Sequence, residues 1–97
     1  MSDRRIVRIV VRGQVQGVGF RAFVEDEAAS RAISGWVRNR RDGSVEAVAA
    51  GTRAAVDAWI ETIGVGPPAS RVDALDVEEA DETALGGHTD FGLLPTV

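Results

Sequence analysis

The sequence predicts an α+β sandwich in which two helices cover one face of a mostly antiparallel sheet. Apolar, β-branched runs and two segments of helical periodicity follow one another in the order strand, helix, strand, strand, helix, strand. The second and third strands are separated by Asp42-Gly43, a dipeptide typical of a tight hairpin. Because crossover connections are right-handed, both helices should pack on the same face of the sheet.

The first strand is predicted over Ile6 to Arg12, where β-branched residues alternate with arginines until Gly13. A glycine-rich loop leads into the first helix, whose apolar positions recur at helical spacing: Phe20, Phe23, Val24 and Ala28. The acidic residues 25–27 lie on this helix. Adjacent helical positions point about 100° apart, so we interpret these residues as a solvated face and not as a metal site.

The second strand is predicted over Ile33 to Asn39, with both of these residues on the same face. The third strand, Val45 to Ala50, should pair with it across the hairpin. Thr52 is placed to cap a second helix that Gly64 should end, and the apolar positions of this helix are Val56, Trp59, Ile60 and Ile63.

The last third of the chain is predicted to hold a loop over residues 64–70, two strands and a turn segment. Val72 to Val77 reads as the fourth strand, and its uneven alternation indicates a bulge. Asp81 to Asp90 has turn composition and includes His88, interpreted as a solvated loop residue, and Phe91 to Leu94 is predicted as a short edge strand. The βαββαβ order is that of a ferredoxin-like sandwich, formed here by one domain over residues 1–97.

Composition narrows the possible functions. The 97 residues include no cysteine, which excludes disulfides, thiolate metal sites and thiol nucleophiles. No apolar run reaches the roughly 18 residues of a membrane span, so we expect a cytoplasmic protein without a membrane partner. All 11 basic residues are arginines, so a Walker A loop, which needs lysine, is excluded.

The segment from Gly13 to Arg21 has the features of an anion site. Glycines at positions 13, 17 and 19 allow positive φ angles, so that successive amides can turn toward one phosphate, and the following helix adds its positive end. Arg21 can grip two phosphate oxygens with its planar guanidinium. The alternative is a tight turn before a helix. The spacing does not fit the Gly-x-Gly-x-x-Gly pattern of dinucleotide sites.

Charge favours a small anion over nucleic acid. Residues 1–53 hold 10 arginines and 6 acidic residues, whereas residues 54–97 hold 1 arginine and 9 acidic residues. An extended nucleic acid would favour a basic face on a basic domain, and the overall net charge here is −4.

Two motifs in this order resemble those of the acylphosphatase family: Val15-Gln-Gly-Val-x-Phe-Arg21 and Gly35-Trp-Val-x-Asn39. The resemblance covers nearly the whole chain, including the Asp-Gly turn, Gly66-Pro-Pro and the tail from Phe91 to Thr96. It implies the ferredoxin-like fold and hydrolysis of the carboxyl-phosphate anhydride of a small acyl phosphate. Because no residues are grouped as metal ligands in the sequence, we expect hydrolysis without metal or cofactor. We also expect a monomer, and competitive inhibition by inorganic phosphate, the product.

The resemblance also implies the site residues. Arg21 would bind phosphate and Asn39 would hold the attacking water, so both are the predicted catalytic residues. The predicted phosphate-binding residues are Gln16, Gly17, Val18, Gly19, Phe20 and Arg21.

The sequence departs from the family pattern at Arg31, where an apolar residue is common, and at Ala32, where glycine is common. We expect Ala32 to occupy the left-handed position after the first helix and to affect stability more than activity. Two other functions are considered. An RNA-binding domain of this fold is disfavoured because the first and third strands carry no aromatic residue, and a non-catalytic module that binds acyl phosphates stays open. The physiological acyl group is not identified.

Overall fold

The computed structural model describes residues 3–97 and confirms the predicted order of strands and helices with one addition. The five strands are β1 (Arg4–Gln14), β2 (Ser34–Asn39), β3 (Val45–Thr52), β4 (Arg71–Glu79) and β5 (Phe91–Leu93). The three helices are α1 (Phe20–Ala29), α2 (Arg53–Val65) and α3 (Glu82–Leu85). None of the helices in residues 3–97 is long and apolar enough to cross a bilayer.

The strands form one sheet in the order β4-β1-β3-β2-β5. The β1–β3, β1–β4 and β2–β3 pairs are antiparallel, and only β5 runs parallel to its neighbour β2. The sheet is therefore mostly antiparallel with a short C-terminal edge strand, as predicted. This order puts the β1–α1 loop, the β2–β3 hairpin and the end of β5 at the same end of the sheet.

Strand alternation separates two apolar clusters. The larger cluster lies between the sheet and helices α1 and α2, where Trp59 is fully buried and its indole nitrogen donates to Val24 O at 3.3 Å. Phe91 of β5 joins this cluster with its ring centroid 6.2 Å from that of Trp59. On the opposite face, Trp36 packs with Leu85 of α3 in the smaller cluster.

The two departures from the family pattern lie together after α1. Ala32 has φ 54°, and the bonds Ile33 N to Ala28 O (3.0 Å) and Ala32 N to Ala29 O (3.2 Å) form a Schellman motif with Ala32 at C′. The predicted left-handed position is therefore confirmed. Arg31 forms an ion pair with Glu27 and donates to Thr62 Oγ1 at 3.2 Å, which connects α1 to α2.

The first strand extends past Gly13, where the sequence predicts its end. Gly13 pairs with Val72 and Gln14 with Arg71, beyond a register shift that confirms a bulge in β4 at Asp73. A Cβ on Gly13 would lie 2.2 Å from Arg71 O. Glycine at this position therefore permits close strand approach and does not end the strand.

Two predictions for the second half of the chain are also wrong. Helix α2 continues through Gly64 and ends at Val65, because the positive φ of 74° lies at Gly66, directly before Pro67. The segment from Asp81 to Asp90 is not all turn, since α3 begins after Asp81, whose side chain accepts from Ala84 N. His88 is half-buried beside Gly92 and is therefore less solvated than predicted.

Candidate active site

The β1–α1 loop presents a run of open backbone donors. Gly17 and Gly19 have φ angles of 74° and 76°, and a Cβ on either would meet no atom within 4 Å. Backbone conformation, and not packing, therefore favours glycine at both positions. Within residues 3–97, the amides of residues 16–22 have no hydrogen-bond acceptor, and the first helical bond runs from Phe23 N to Gly19 O. Such amides at a helix N-terminus can hold an anion.

Arg21 lies in the first turn of α1 and is half-buried. Its guanidinium forms no hydrogen bond or ion pair with any residue that the structure describes, and the first turn carries no acidic residue. Two other half-buried arginines differ, since Arg38 bonds Glu46 at 2.8 Å and Arg31 bonds Glu27. The Arg21 charge is therefore available to an anion at the loop.

Asn39 is the last residue of β2, on the face of the sheet that the helices cover. Its backbone carbonyl accepts from Val97 N at 3.1 Å. Its side-chain oxygen Oδ1 is buried and accepts no hydrogen bond from the described residues. A buried acceptor without a partner is costly, so this oxygen is placed to accept from a bound molecule such as water.

A cavity of about 200 Å³ joins these groups. Five of the predicted site residues line it, namely Gly17, Gly19, Phe20, Arg21 and Asn39. Its other walls are Val15, Ala22 and Leu93. The sequence analysis missed Leu93, because nothing local indicates that β5 pairs with β2 and reaches this end of the sheet.

Gln16 and Val18 do not line the cavity. The Gln16 carboxamide nitrogen donates to Arg40 O at 2.7 Å and to Ser44 O at 2.9 Å. These bonds connect the loop to the β2–β3 hairpin, which begins directly after Asn39. Val18 packs against the larger apolar cluster. The side chains of Gln16 and Val18 thus hold the loop in place, and only their backbone amides are open toward a ligand.

The hairpin beside the loop has its own hydrogen-bonded turn. Asp42 Oδ1 accepts from the Ser44 hydroxyl at 2.5 Å and from Ser44 N at 2.9 Å. These two bonds lower the pKa of Asp42 to about 2, with a smaller contribution from Arg12. The hairpin that Gln16 contacts is therefore stabilised by a carboxylate that stays ionised well into the acid range.

The opposite face of the sheet carries a buried ion-pair network at Glu46. Glu46 is only 2 % exposed, and Arg8 and Arg38 both bind its carboxylate. Burial raises the pKa of Glu46, but the hydrogen bonds from Arg38 and Arg8 outweigh burial and leave it below its ordinary value. Arg38 also lies over the Trp36 ring at 4.6 Å. This network lies across the sheet from the cavity and we interpret it as structural.

No set of three histidine or acidic side chains in the described part of the chain is grouped to hold a metal ion, and residues 25–27 are not such a group. The cavity itself offers one cation, Arg21, and one amide side chain, Asn39. The site can thus bind an anion with backbone and guanidinium donors and can accept one hydrogen bond through Asn39.

Known proteins share both the sequence and the fold. The Acylphosphatase family profile matches residues 7–92. An acylphosphatase of Bradyrhizobium diazoefficiens is 46% identical over 98% of this chain and 99% of its own length. An acylphosphatase of Rhizorhabdus wittichii is 52% identical over 90% of this chain and 88% of its own length. The crystal structure of acylphosphatase from Bacillus subtilis superimposes with a TM-score of 0.85 at 44% identity, over 92% of this chain and 97% of that chain. With the motifs, the fold and these relatives in agreement, the chain belongs to the acylphosphatase family of acyl phosphate hydrolases.

Proposed function

We propose that the cavity at the end of the sheet is the site at which this protein hydrolyses acyl phosphates, with Arg21 and Asn39 as its catalytic residues. One observation carries the proposal. A single cavity joins a guanidinium, a run of open amides and a buried amide oxygen, none of which has a hydrogen-bond partner among residues 3–97. The buried Asn39 oxygen is costly without a hydrogen-bond donor, and the open amides and the guanidinium are suited to hold a phosphate.

The phosphoryl group is held by the amides of residues 16–21 and by the Arg21 guanidinium. Phosphoryl transfer spreads negative charge over three equatorial oxygens, and fixed donors stabilise that charge without reorganisation. Water attacks phosphorus on the side opposite the acyl oxygen. A new P–O bond forms, the bond from phosphorus to the acyl oxygen breaks, and a carboxylate leaves with the electron pair. The protons of the attacking water remain on the oxygens of the phosphate product.

Asn39 positions the water and does not deprotonate it. A carboxamide has no useful pKa, so Asn39 cannot act as a general base. Its Oδ1 can accept a hydrogen bond from the water and so orient a lone pair of the water oxygen toward phosphorus. The carboxylate is a good leaving group and needs no protonation. The reaction therefore requires neither metal nor cofactor, and inorganic phosphate should compete with the substrate for the same donors.

The test compares Arg21→Ala, Arg21→Lys and Asn39→Ala on acetyl phosphate in EDTA, with inorganic phosphate as inhibitor. Arg21→Ala should weaken phosphate binding and lower kcat, and lysine should restore little because an ammonium lacks the planar fork. Asn39→Ala should lower kcat about 100-fold and leave phosphate inhibition within a few fold. Arg53→Ala, an exposed arginine at the start of α2, is the matched control.

Two results would contradict the assignment. If Asn39→Ala keeps a nearly normal kcat, or loses phosphate binding as fully as Arg21→Ala, then Asn39 does not position the water. If the unaltered protein binds phosphate but turns over no acyl phosphate either in EDTA or with added Mg²⁺, the alternative of a non-catalytic binding module is correct. Turnover that needs Mg²⁺ would instead contradict metal independence.

A further inference from the structure

Leu93 brings an apolar side chain to the edge of the cavity. Phe91 and Leu93 lie two residues apart on β5 and therefore on the same face, the face covered by the helices. Phe91 packs into the larger apolar cluster, whereas Leu93 lies beyond it, lines the cavity and is 49% exposed. About half of the Leu93 surface is therefore exposed in the cavity that Arg21 and Asn39 also line. A ligand bound there can cover this apolar surface.

The position of Leu93 is fixed by strand pairing. It lies opposite Val37 in the parallel β2–β5 ladder, and Leu94 N donates to Val37 O at 2.9 Å. Val37 is two residues before Asn39 on β2 and is completely buried. Leu93 is therefore held on the rigid strand pair that also carries Asn39, and not on a free loop.

The rest of the cavity offers no second charge. Arg21 is the one charged residue among those that line it in the described chain, and our proposed mechanism assigns it to the phosphoryl group. The hairpin arginines Arg38, Arg40 and Arg41 line a separate cavity that also includes Glu46, a residue of the opposite sheet face. The described lining of the cavity thus offers an acyl group with its own carboxylate no cation besides Arg21.

We propose that Leu93 contacts the acyl group of the substrate and makes the site selective for uncharged, apolar acyl groups. This inference rests on the proposed function, because it requires the phosphoryl group at Arg21 and the loop amides. With the phosphoryl group at Arg21 and the loop amides, the acyl group covers the exposed part of the Leu93 side chain. Leu93 is then a specificity-determining residue that takes no part in bond breaking.

The test measures kcat/KM for benzoyl, acetyl and succinyl phosphate. The unaltered protein should prefer benzoyl phosphate to acetyl phosphate and acetyl to succinyl phosphate. Leu93→Ala should reduce the benzoyl-to-acetyl preference by roughly fivefold to tenfold, from loss of about 50 Å² of apolar contact. Leu93→Arg should raise the succinyl-to-benzoyl ratio, because it supplies the missing cation.

Val77→Ala is the matched control. Val77 is a 39% exposed apolar residue on β4, the opposite edge of the sheet, and its truncation should leave all three ratios unchanged. Leu93→Met keeps apolar contact and should retain the benzoyl preference, which preserves the test if Leu93→Ala folds poorly. If Leu93→Arg and folded Leu93→Ala keep the ratios of the unaltered protein, the inference is wrong while the proposed function stands. If the unaltered protein hydrolyses none of the three substrates, the proposed function itself has failed.

Discussion

Ala32→Gly should stabilise the protein, because Ala32 is the one residue other than glycine with a positive φ in the described chain. An L-residue with a β-carbon pays on the order of 1 kcal/mol in the left-handed region. Glycine removes that cost but increases the freedom of the unfolded chain, which costs about 0.5 kcal/mol. The Ala32 side chain is exposed, so the change removes no buried contact. A net gain of about 0.5 kcal/mol should raise Tm by about 2–4 °C in a domain of this size.

The same chemical change at Ala58 provides the control with the opposite sign. Ala58 is exposed in the middle of α2, where glycine should cost about 1 kcal/mol and lower Tm by about 4–8 °C. Thermal unfolding followed by circular dichroism measures both shifts. If Tm of Ala32→Gly equals or falls below that of the unaltered protein while Ala58→Gly behaves as expected, backbone strain at Ala32 is not a significant part of the stability. Activity should not change, since Ala32 follows the end of α1 that points away from the loop.

Three further predictions concern stability. Glu46→Ala should lower the free energy of unfolding in urea by about 1–3 kcal/mol, because two arginines lose their buried partner but remain partly open to water. An unchanged urea midpoint would show that the Glu46 ion pairs do not stabilise the fold. The lowered pKa of Asp42 means that this residue adds stability above about pH 4 that disappears as the pH falls toward 2, so Asp42→Asn should make the decline of Tm across that range shallower; equal slopes would refute this. Gly35→Ala should prevent folding because its Cβ would lie 1.9 Å from Val48 O. Gly43→Ala, where nothing lies within 4 Å of the added Cβ, should remain folded. If the Gly35→Ala variant is soluble and unfolds cooperatively, the two strands can move apart to accommodate the Cβ.

The fold could be predicted because its signals are local and repeated. Periodicity located both long helices, and Asp42-Gly43 located the hairpin. Two of the wrong predictions concern glycine, which can end an element but can also occur within one. The sequence predicts that Gly13 and Gly64 end their elements, but Gly13 permits close approach of two strands and Gly64 lies within a helix. A four-residue helix such as α3 is too short to show periodicity, although its Asp81 cap was visible in the sequence.

The sequence predicts the loop, Arg21 and Asn39 of the candidate site but not Leu93 or the hydrogen bonds of Gln16. The loop and Arg21 are adjacent in sequence, so one motif indicates their chemistry. Asn39 is predicted only through the resemblance to the acylphosphatase family. Leu93 and the hydrogen bonds of Gln16 depend on which strands are neighbours. Which strands are neighbours depends on pairing between residues far apart in the chain, and a single sequence does not reveal this pairing.

The parallel pairing of β5 has a kinetic consequence. The cavity is lined by Val15 and residues of the following loop and helix start, by Asn39 and by Leu93, so it is complete only after the last strand in the sequence has docked beside β2. Pairing between segments so far apart in the chain is slow to form. Phe91 lies against the buried indole of Trp59, so docking of β5 should change the fluorescence of this tryptophan. During refolding, the preference between benzoyl and acetyl phosphate should therefore appear together with the final change in tryptophan emission, after most of the helical signal has returned.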